Sequence, residues 1–138
     1  PIGVAICYES VYGEFYSEFV RRGAKVMSVI TNDGWWGKTN GHRQHFSYSR
    51  LRAIETRRSV ARSANTGISG FIDPQGRVIS SIGWDERGVL TAEVPVCTRL
   101  TLYTRYGDYV ARLCCYLLLL CTLYYIAYRV RRRNHLVD

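Results

Sequence analysis

Cys7 has the plainest chemical potential in the chain. It closes the apolar run Ile2-Gly3-Val4-Ala5-Ile6 and is followed at once by Tyr8-Glu9-Ser10. Such a run predicts a buried strand that ends in a sharp bend, with the sulfur carried clear of the sheet. A strand-to-helix bend presents a nucleophile well, because nearby backbone N–H groups then face a reacting carbonyl. Plain packing fits Cys7 as well, since free cysteine behaves as a small hydrophobe. His42 and His45 stand one helical turn apart with no third ligand at metal spacing. We therefore expect no metal site, and two ordinary surface or cleft histidines. Of the five cysteines, Cys114, Cys115 and Cys121 lie in an apolar run and Cys97 stands alone. No CxxC pair occurs, and the four read as small hydrophobes rather than a disulfide framework.

The elements that position Cys7 follow in order. Val11, Phe15, Phe19 and Val20 recur at helical spacing, and Arg21-Arg22-Gly23 supplies a basic last turn and a glycine stop. Residues 24–31 are rich in β-branched side chains and read as a second buried strand. Asn32-Asp33-Gly34-Trp35-Trp36-Gly37 is a turn-rich loop with two adjacent tryptophans. A second helix is expected from about Gly41 to Arg58, with Phe46, Leu51 and Ile54 among its apolar positions. Residues 60–64 predict a short strand, and residues 69–72 and 77–82 a hairpin-like pair about Asp73-Pro74-Gln75-Gly76. Residues 88–94, ended by Pro95, read as one more strand. The β-α-β-α order followed by short strands predicts an α/β fold with helices on a mixed sheet.

The tail is different. Residues 113–128 carry no charge and lie between Arg112 and Arg129. At about 1.5 Å per residue they fall a little short of a hydrocarbon core of about 30 Å, and extension through Tyr109–Ala111, with Arg112 snorkelling, closes the gap. Tyr103, Tyr106 and Tyr109 at one end, and Tyr124, Tyr125 and Tyr128 at the other, suit interfacial belts. We expect a membrane span over 109–129 and a basic tail over 130–138. Arg129, Arg131, Arg132 and Arg133 place the C-terminus in the cytoplasm and the Cys7 domain outside. The formal net charge of +8 divides evenly between residues 1–108 and the last 30 residues. The tail's share is a membrane flank, and the remaining arginines form no stripe, so no nucleic-acid partner is expected. The chain does not begin with Met and opens within a strand, which reads as the C-terminal part of a longer protein.

Four ordered segments carry a resemblance: Cys7-Tyr8-Glu9, Thr31-Asn32-Asp33-Gly34-Trp35-Trp36-Gly37, Arg52-Ala53-Ile54-Glu55-Thr56-Arg57-Arg58, and the stretch from Ala61 through Asn65-Thr66-Gly67 to Gly76. Together they resemble the nitrilase, or carbon–nitrogen hydrolase, superfamily over nearly all of residues 1–128. Glu rather than Asp at position 9, and the terminal apolar helix, resemble its membrane acyltransferase branch. Those bacterial inner-membrane enzymes add a third acyl chain to lipoproteins.

The resemblance implies the C-terminal part of a nitrilase-like αββα sandwich over residues 1–108, followed by one transmembrane helix. It makes Cys7 the nucleophile of a Glu–Lys–Cys triad. The Glu base and the Lys precede Cys7 in the family, so they are expected outside this chain and the piece is expected to be inactive alone. A thiolate suits transfer of an acyl chain from a phospholipid, through a thioester, to the α-amine of a diacylglyceryl-cysteine apolipoprotein. No cofactor is implied. Tyr8 and Glu9 match positions next to the nucleophile. Glu9 either orients the pocket or the amine, or hydrogen-bonds the bend. Asn32 and Asp33 are expected to shape the loop as part of the substrate pocket. Trp35 and Trp36 are expected to line the acyl-chain entrance or touch the bilayer, with core packing as the plain alternative. Glu55, flanked by Arg52 and Arg58, reads as an ion-pair cluster. Two other readings fit the same residues: a membrane-tethered nitrilase-type amidase with water as acceptor, and a truncated domain that keeps the fold without activity.

Overall fold

A computed structural model describes residues 1–134. The chain forms two compact units, one spanning Pro1–Gly107 and the other beginning at Asp108. The first is built on a five-stranded mixed sheet in the order β1-β2-β3-β4-β5. Its strands are β1 (Ile2–Ile6), β2 (Val26–Thr31), β3 (Ser59–Ala64), β4 (Ser69–Ile72) and β5 (Val78–Ile82). β1, β2 and β3 run parallel, and β4 and β5 add antiparallel at one edge. Helix α1 (Gly13–Arg21) crosses from β1 to β2, and α2 (Gly41–Thr56) from β2 to β3. Parallel neighbours require such crossovers, and both helices lie on the same face of the sheet.

Strand alternation divides the residues between the two faces. Ala5, Met27, Val29, Val60 and Ile72 point towards the helices and form the core with Tyr16, Val20, Phe46 and Ala53. Ile2, Val4, Ile6 and Ile30 point the other way and are exposed. The expectation of a buried first strand therefore holds for one face only, because the helices cover one face only. The described residues supply two layers, α on β, of the four expected in a full sandwich.

Three local expectations are corrected. On α1 the buried stripe is Tyr16, Ser17 and Val20; Phe15 turns outward and meets Phe19 edge-on at 5.4 Å. On α2, Leu51 and Ile54 are exposed, and the buried face carries His42, His45, Ser49, Arg52 and Thr56 beside Phe46 and Ala53. Residues 88–94 form no strand. They keep a period-2 alternation of exposed and half-buried positions, and Gly88 and Leu90 line a cavity of about 220 Å³ with Ser28, Ala61 and Phe71. Alternation alone does not make a strand, since a ladder needs both partners.

The hairpin between β4 and β5 forms as its turn chemistry dictates. Asp73 Oδ1 accepts from the backbone N–H groups of Gln75 (2.8 Å) and Arg77 (2.9 Å), and Oδ2 accepts from Arg77 Nε at 2.9 Å. Arg52 pairs with Glu55 at 3.2 Å, which meets the expected cluster on the Arg52 side. Arg58 spends its guanidinium on the carbonyls of Ala24, Thr98 and Arg99, tying the irregular segment after β5 to the sheet.

A short helix α3 (Leu102–Tyr106) ends the first unit. Tyr103, expected at a membrane interface, is instead half-buried there, with its hydroxyl beside Gly13 of α1. Helix α4 (Tyr109–Asn134) forms the second unit. Its residues Tyr109–Arg132 have a mean hydropathy of 1.9 and none of that stretch is buried, so it is long and apolar enough to cross a membrane. The expected basic tail begins inside this helix, and residues 135–138 lie outside the described residues.

Candidate active site

The C-terminal ends of β1, β2 and β3 converge on one edge of the sheet, the usual place for a site in an open α/β sheet. The register pairs Ile6 with Ile30 and Thr31 with Ala64. Cys7, Asp33 and the Asn65-Thr66-Gly67 turn therefore emerge side by side. Hydrogen bonds lock these ends together: Asp33 N–H donates to Thr66 O at 2.8 Å, and Asn65 N–H to Thr31 O at 2.9 Å.

Cys7 opens a short 3₁₀ turn (Cys7–Val11) and has φ +52°, left-handed backbone at a non-glycine residue. A residue with a side chain occupies that region at a cost of about 1–2 kcal/mol. This is the sharp bend expected at the strand end. Its carbonyl oxygen accepts from Ser10 Oγ at 2.8 Å and from His45 Nε2 at 3.3 Å. Glu9 Oε2 accepts from the Ile6 N–H at 2.7 Å, so this carboxylate braces the bend from the exposed side.

Behind the bend lies a buried polar chain. His45 Nδ1 lies 2.8 Å from Asp33 Oδ1, and Asp33 Oδ2 accepts from Arg62 Nη2 at 2.8 Å. Thr31 Oγ1 donates to Asp33 Oδ1 at 3.0 Å, while Arg62 also donates to Ser49 Oγ and to Ile68 O. Asp33 is completely buried, and His45 and Arg62 nearly so. Burial alone would push the Asp33 carboxyl up. The hydrogen bond from His45, the charge and hydrogen bond of Arg62, and the Thr31 hydroxyl outweigh it and hold the group below the ordinary carboxylate value. Burial lowers Arg62, and Asp33, then Cys7 and Tyr16, act against that lowering.

In front of the bend, Tyr8, Trp36, Gly41, Gln44, His45 and Tyr48 line a cleft of about 130 Å³. The Trp36 ring meets His45 edge-on at 5.2 Å, and Tyr8 lies 6.0 Å from His45 and 6.5 Å from Trp36. Gly41 permits this, since a Cβ there would fall 2.7 Å from the indole. Trp35, next in the chain, is 84% exposed. Asn32 Oδ1 accepts from Gly34 N–H at 3.1 Å within the loop.

Asp33 is fully buried, with its carboxylate on His45, Thr31 and Arg62. Of the two histidines expected at the surface or in a cleft, His45 lines the cleft, and both are buried, His42 with its ring 4.4 Å from Trp84. Apolar periodicity gives no sign of Arg62 or Ser10, and spacing marks His45 only as one of a histidine pair. One signal was available, since His42, His45, Ser49, Arg52 and Thr56 recur at helical spacing and mark a polar stripe.

A sequence profile described as carbon-nitrogen hydrolase matches residues 1–100. The chain belongs to the carbon–nitrogen hydrolase family. The fold agrees: Saccharomyces cerevisiae Nit3, of the nitrilase superfamily, superposes with a TM-score of 0.52 at 24% identity over 62% of this chain and 34% of its own. A nitrilase-superfamily amidase of Nesterenkonia gives 0.51 at 19% identity, over 61% and 34%. Among curated carbon–nitrogen hydrolase relatives, the apolipoprotein N-acyltransferase of Chlorobaculum tepidum is 48% identical over 83% of this chain and 22% of its own length. That of Bradyrhizobium diazoefficiens is 42% identical over 94% and 23%. The chain thus spans between a fifth and a quarter of the length of these relatives.

The Asn65-Thr66-Gly67 turn of this carbon–nitrogen hydrolase family member has a definite task. Gly67 has φ +122°, and a Cβ there would fall 2.5 Å from Asp33 Oδ2. Gly67→Ala is expected to cost about 3 kcal/mol, from strained backbone and a displaced carboxylate together. Thermal unfolding of the purified variant checks this; an unchanged melting temperature contradicts it.

Proposed function

We propose that this chain is the nucleophile-bearing part of a membrane N-acyltransferase. It moves a fatty acyl chain from a phospholipid to the N-terminal amine of a diacylglyceryl-cysteine apolipoprotein. The observation that carries the reading is Cys7, held in left-handed backbone at the C-terminal edge of a parallel sheet and followed directly by Tyr8, which lines an aromatic cleft. The names of the relatives support the acyl-transfer chemistry, and the long apolar helix α4 supports a membrane setting for the donor.

The Cys7 thiolate attacks the ester carbonyl, a C–S bond forms, and the C–O bond breaks to release a lysophospholipid that takes up the thiol's proton. The lipoprotein amine then attacks the thioester, an amide forms, and the thiol is restored. The base that moves the proton and the cation that steadies the oxyanion are the Glu and Lys which the family resemblance puts before Cys7. Tyr8 and Trp36 line the cleft next to the sulfur-bearing residue, where they guide the acyl chain. Trp35 offers an indole to the bilayer interface. Glu9 supports the bend, with the amine as its second task. In a bacterium with an inner membrane, α4 anchors the domain on the periplasmic side, and Arg129, Arg131 and Arg132 hold the C-terminus in the cytoplasm.

The experiment uses the complete reading frame, purified with phospholipid and followed by intact mass. A fatty-acyl adduct that hydroxylamine removes, that disappears on adding a diacylated lipopeptide, and that Cys7→Ala lacks is the expected result. An adduct lost equally fast to water points to the amidase, and no adduct at all points to a domain without activity.

A further inference from the structure

The nucleophile's carbonyl is held from behind by a chain of buried charges that the transfer chemistry does not use. Cys7 sits in a backbone region that a residue with a side chain leaves unless its surroundings over-determine it. Its oxygen accepts two hydrogen bonds, from Ser10 Oγ and from His45 Nε2, and Ser10 Oγ lies 3.2 Å from the same Nε2. A carbonyl oxygen can only accept, so Nε2 donates in its contact with Cys7. The far nitrogen, Nδ1, is fixed against Asp33, and Asp33 in turn by Thr31 and Arg62. Arg62 is anchored to Ser49 on α2 and to the Ile68 carbonyl after β3. The imidazole lies against the Trp36 and Tyr8 rings and forms part of the cleft wall.

Such a chain is expensive for the fold. Buried ion pairs are often no more stabilising than apolar side chains of the same volume, so their presence beside a reacting group calls for a use. Here the chain runs from β2, α2 and β3 to a single atom of the nucleophile's own backbone. We infer that His45, backed by Asp33 and Arg62, is a positioning residue for Cys7: its Nε2–H, with the Ser10 hydroxyl, fixes the bend and so aims the thiol at an acyl carbonyl in the cleft. This rests on Cys7 being an acylated nucleophile, as proposed above, but not on the identity of the donor or acceptor.

The two amide substitutions separate the roles of the two ring nitrogens. His45→Gln can set an N–H near the place of Nε2, whereas His45→Asn reproduces only the Nδ1 side. In the full-length protein, Cys7 acylation is timed with phospholipid and, separately, with a p-nitrophenyl ester that releases p-nitrophenolate. Alkylation of Cys7 by iodoacetamide is timed in parallel, as it needs a thiolate but little aim. His45→Asn is expected to acylate about 10²-fold more slowly than His45→Gln, the size of effect that a misplacement of about 1 Å produces, at equal melting temperature and equal alkylation rate. Ser10→Ala, which removes a hydroxyl and keeps the chain of charges, is expected to slow acylation in the same sense by about 10-fold and leave alkylation unchanged. It decides the matter should the His45 variants fail to fold.

Equal acylation of the Gln and Asn variants overturns the inference, since His45 then only satisfies Asp33. Alkylation falling in step with acylation overturns it too, because the effect is then on the thiolate rather than its aim. If the wild type takes the ester but not phospholipid, the lipid reading fails while the ester rates still judge His45. If neither donor acylates Cys7, both fall.

Discussion

Cys7→Ser is expected to lower acyl transfer by about 10⁴-fold or more while leaving the melting temperature of the protein nearly unchanged. The two side chains have almost the same volume, and serine meets the left-handed backbone at position 7 no worse than cysteine does. What changes is the chemistry. A hydroxyl ionises far less readily than a thiol, and a site built around a base for a thiol does not activate it. Removal of a nucleophile that works in concert with its base costs rates of this order. Rates with labelled phospholipid and a diacylated lipopeptide, beside thermal melts, provide the check. Cys97→Ser serves as the control, because Cys97 is half-buried in the segment that Arg58 ties down and lies outside the site. Transfer by the Cys7→Ser variant within about 10-fold of wild type would remove Cys7 from the reaction.

Asp33→Ala is expected to destabilise the domain by about 3–5 kcal/mol, because it leaves the buried guanidinium of Arg62 without its counter-charge. Asp33→Asn is milder, since an amide still accepts a hydrogen bond on one side. The wild-type group also sets an acid limit. Although burial raises it, His45, Arg62 and Thr31 together hold the carboxyl below its ordinary value. The folded protein thus binds this proton less readily than the unfolded chain does. The stabilisation is fully present above the unfolded value of about 3.9 and is lost as pH falls through the folded value beneath it. Melts from neutral pH down to about pH 3 should show a steep loss below pH 4 in the wild type and a shallower one in Asp33→Asn. The other depressed carboxyls, Glu18 and Asp73, are common to both proteins and cancel in the difference. A loss of under 1 kcal/mol in Asp33→Ala would show that Arg62 finds another partner.

Much of the fold can be read from local patterns, and particular residues show why. β2 is legible because Val26, Met27, Val29 and Ile30 crowd one short run, and the β4–β5 hairpin because Asp73-Pro74-Gln75-Gly76 specifies its own turn. The bend at Cys7 is legible because an apolar run halts at a polar pair. These features depend on neighbours within a few residues, and so a one-dimensional reading reaches them. Residues 88–94 mislead for the converse reason: their alternation is that of an extended chain, but a strand also needs an edge to pair with, and edges belong to the assembled sheet.

The chemistry divides in the same way. Cys7 at a strand end, the tandem tryptophans and the apolar terminal helix are set by residue type and spacing, so the sequence alone determined a thiol at a bend in a chain with a membrane-sized helix. Tertiary structure decided what stands behind the thiol. Asp33, His45 and Arg62 lie on β2's end, α2 and β3, and nothing local marks a charged residue as buried. Parallel pairing brings the three strand ends to one edge, α2 lays its polar stripe across them, and only then do the charges meet one another and the carbonyl of Cys7.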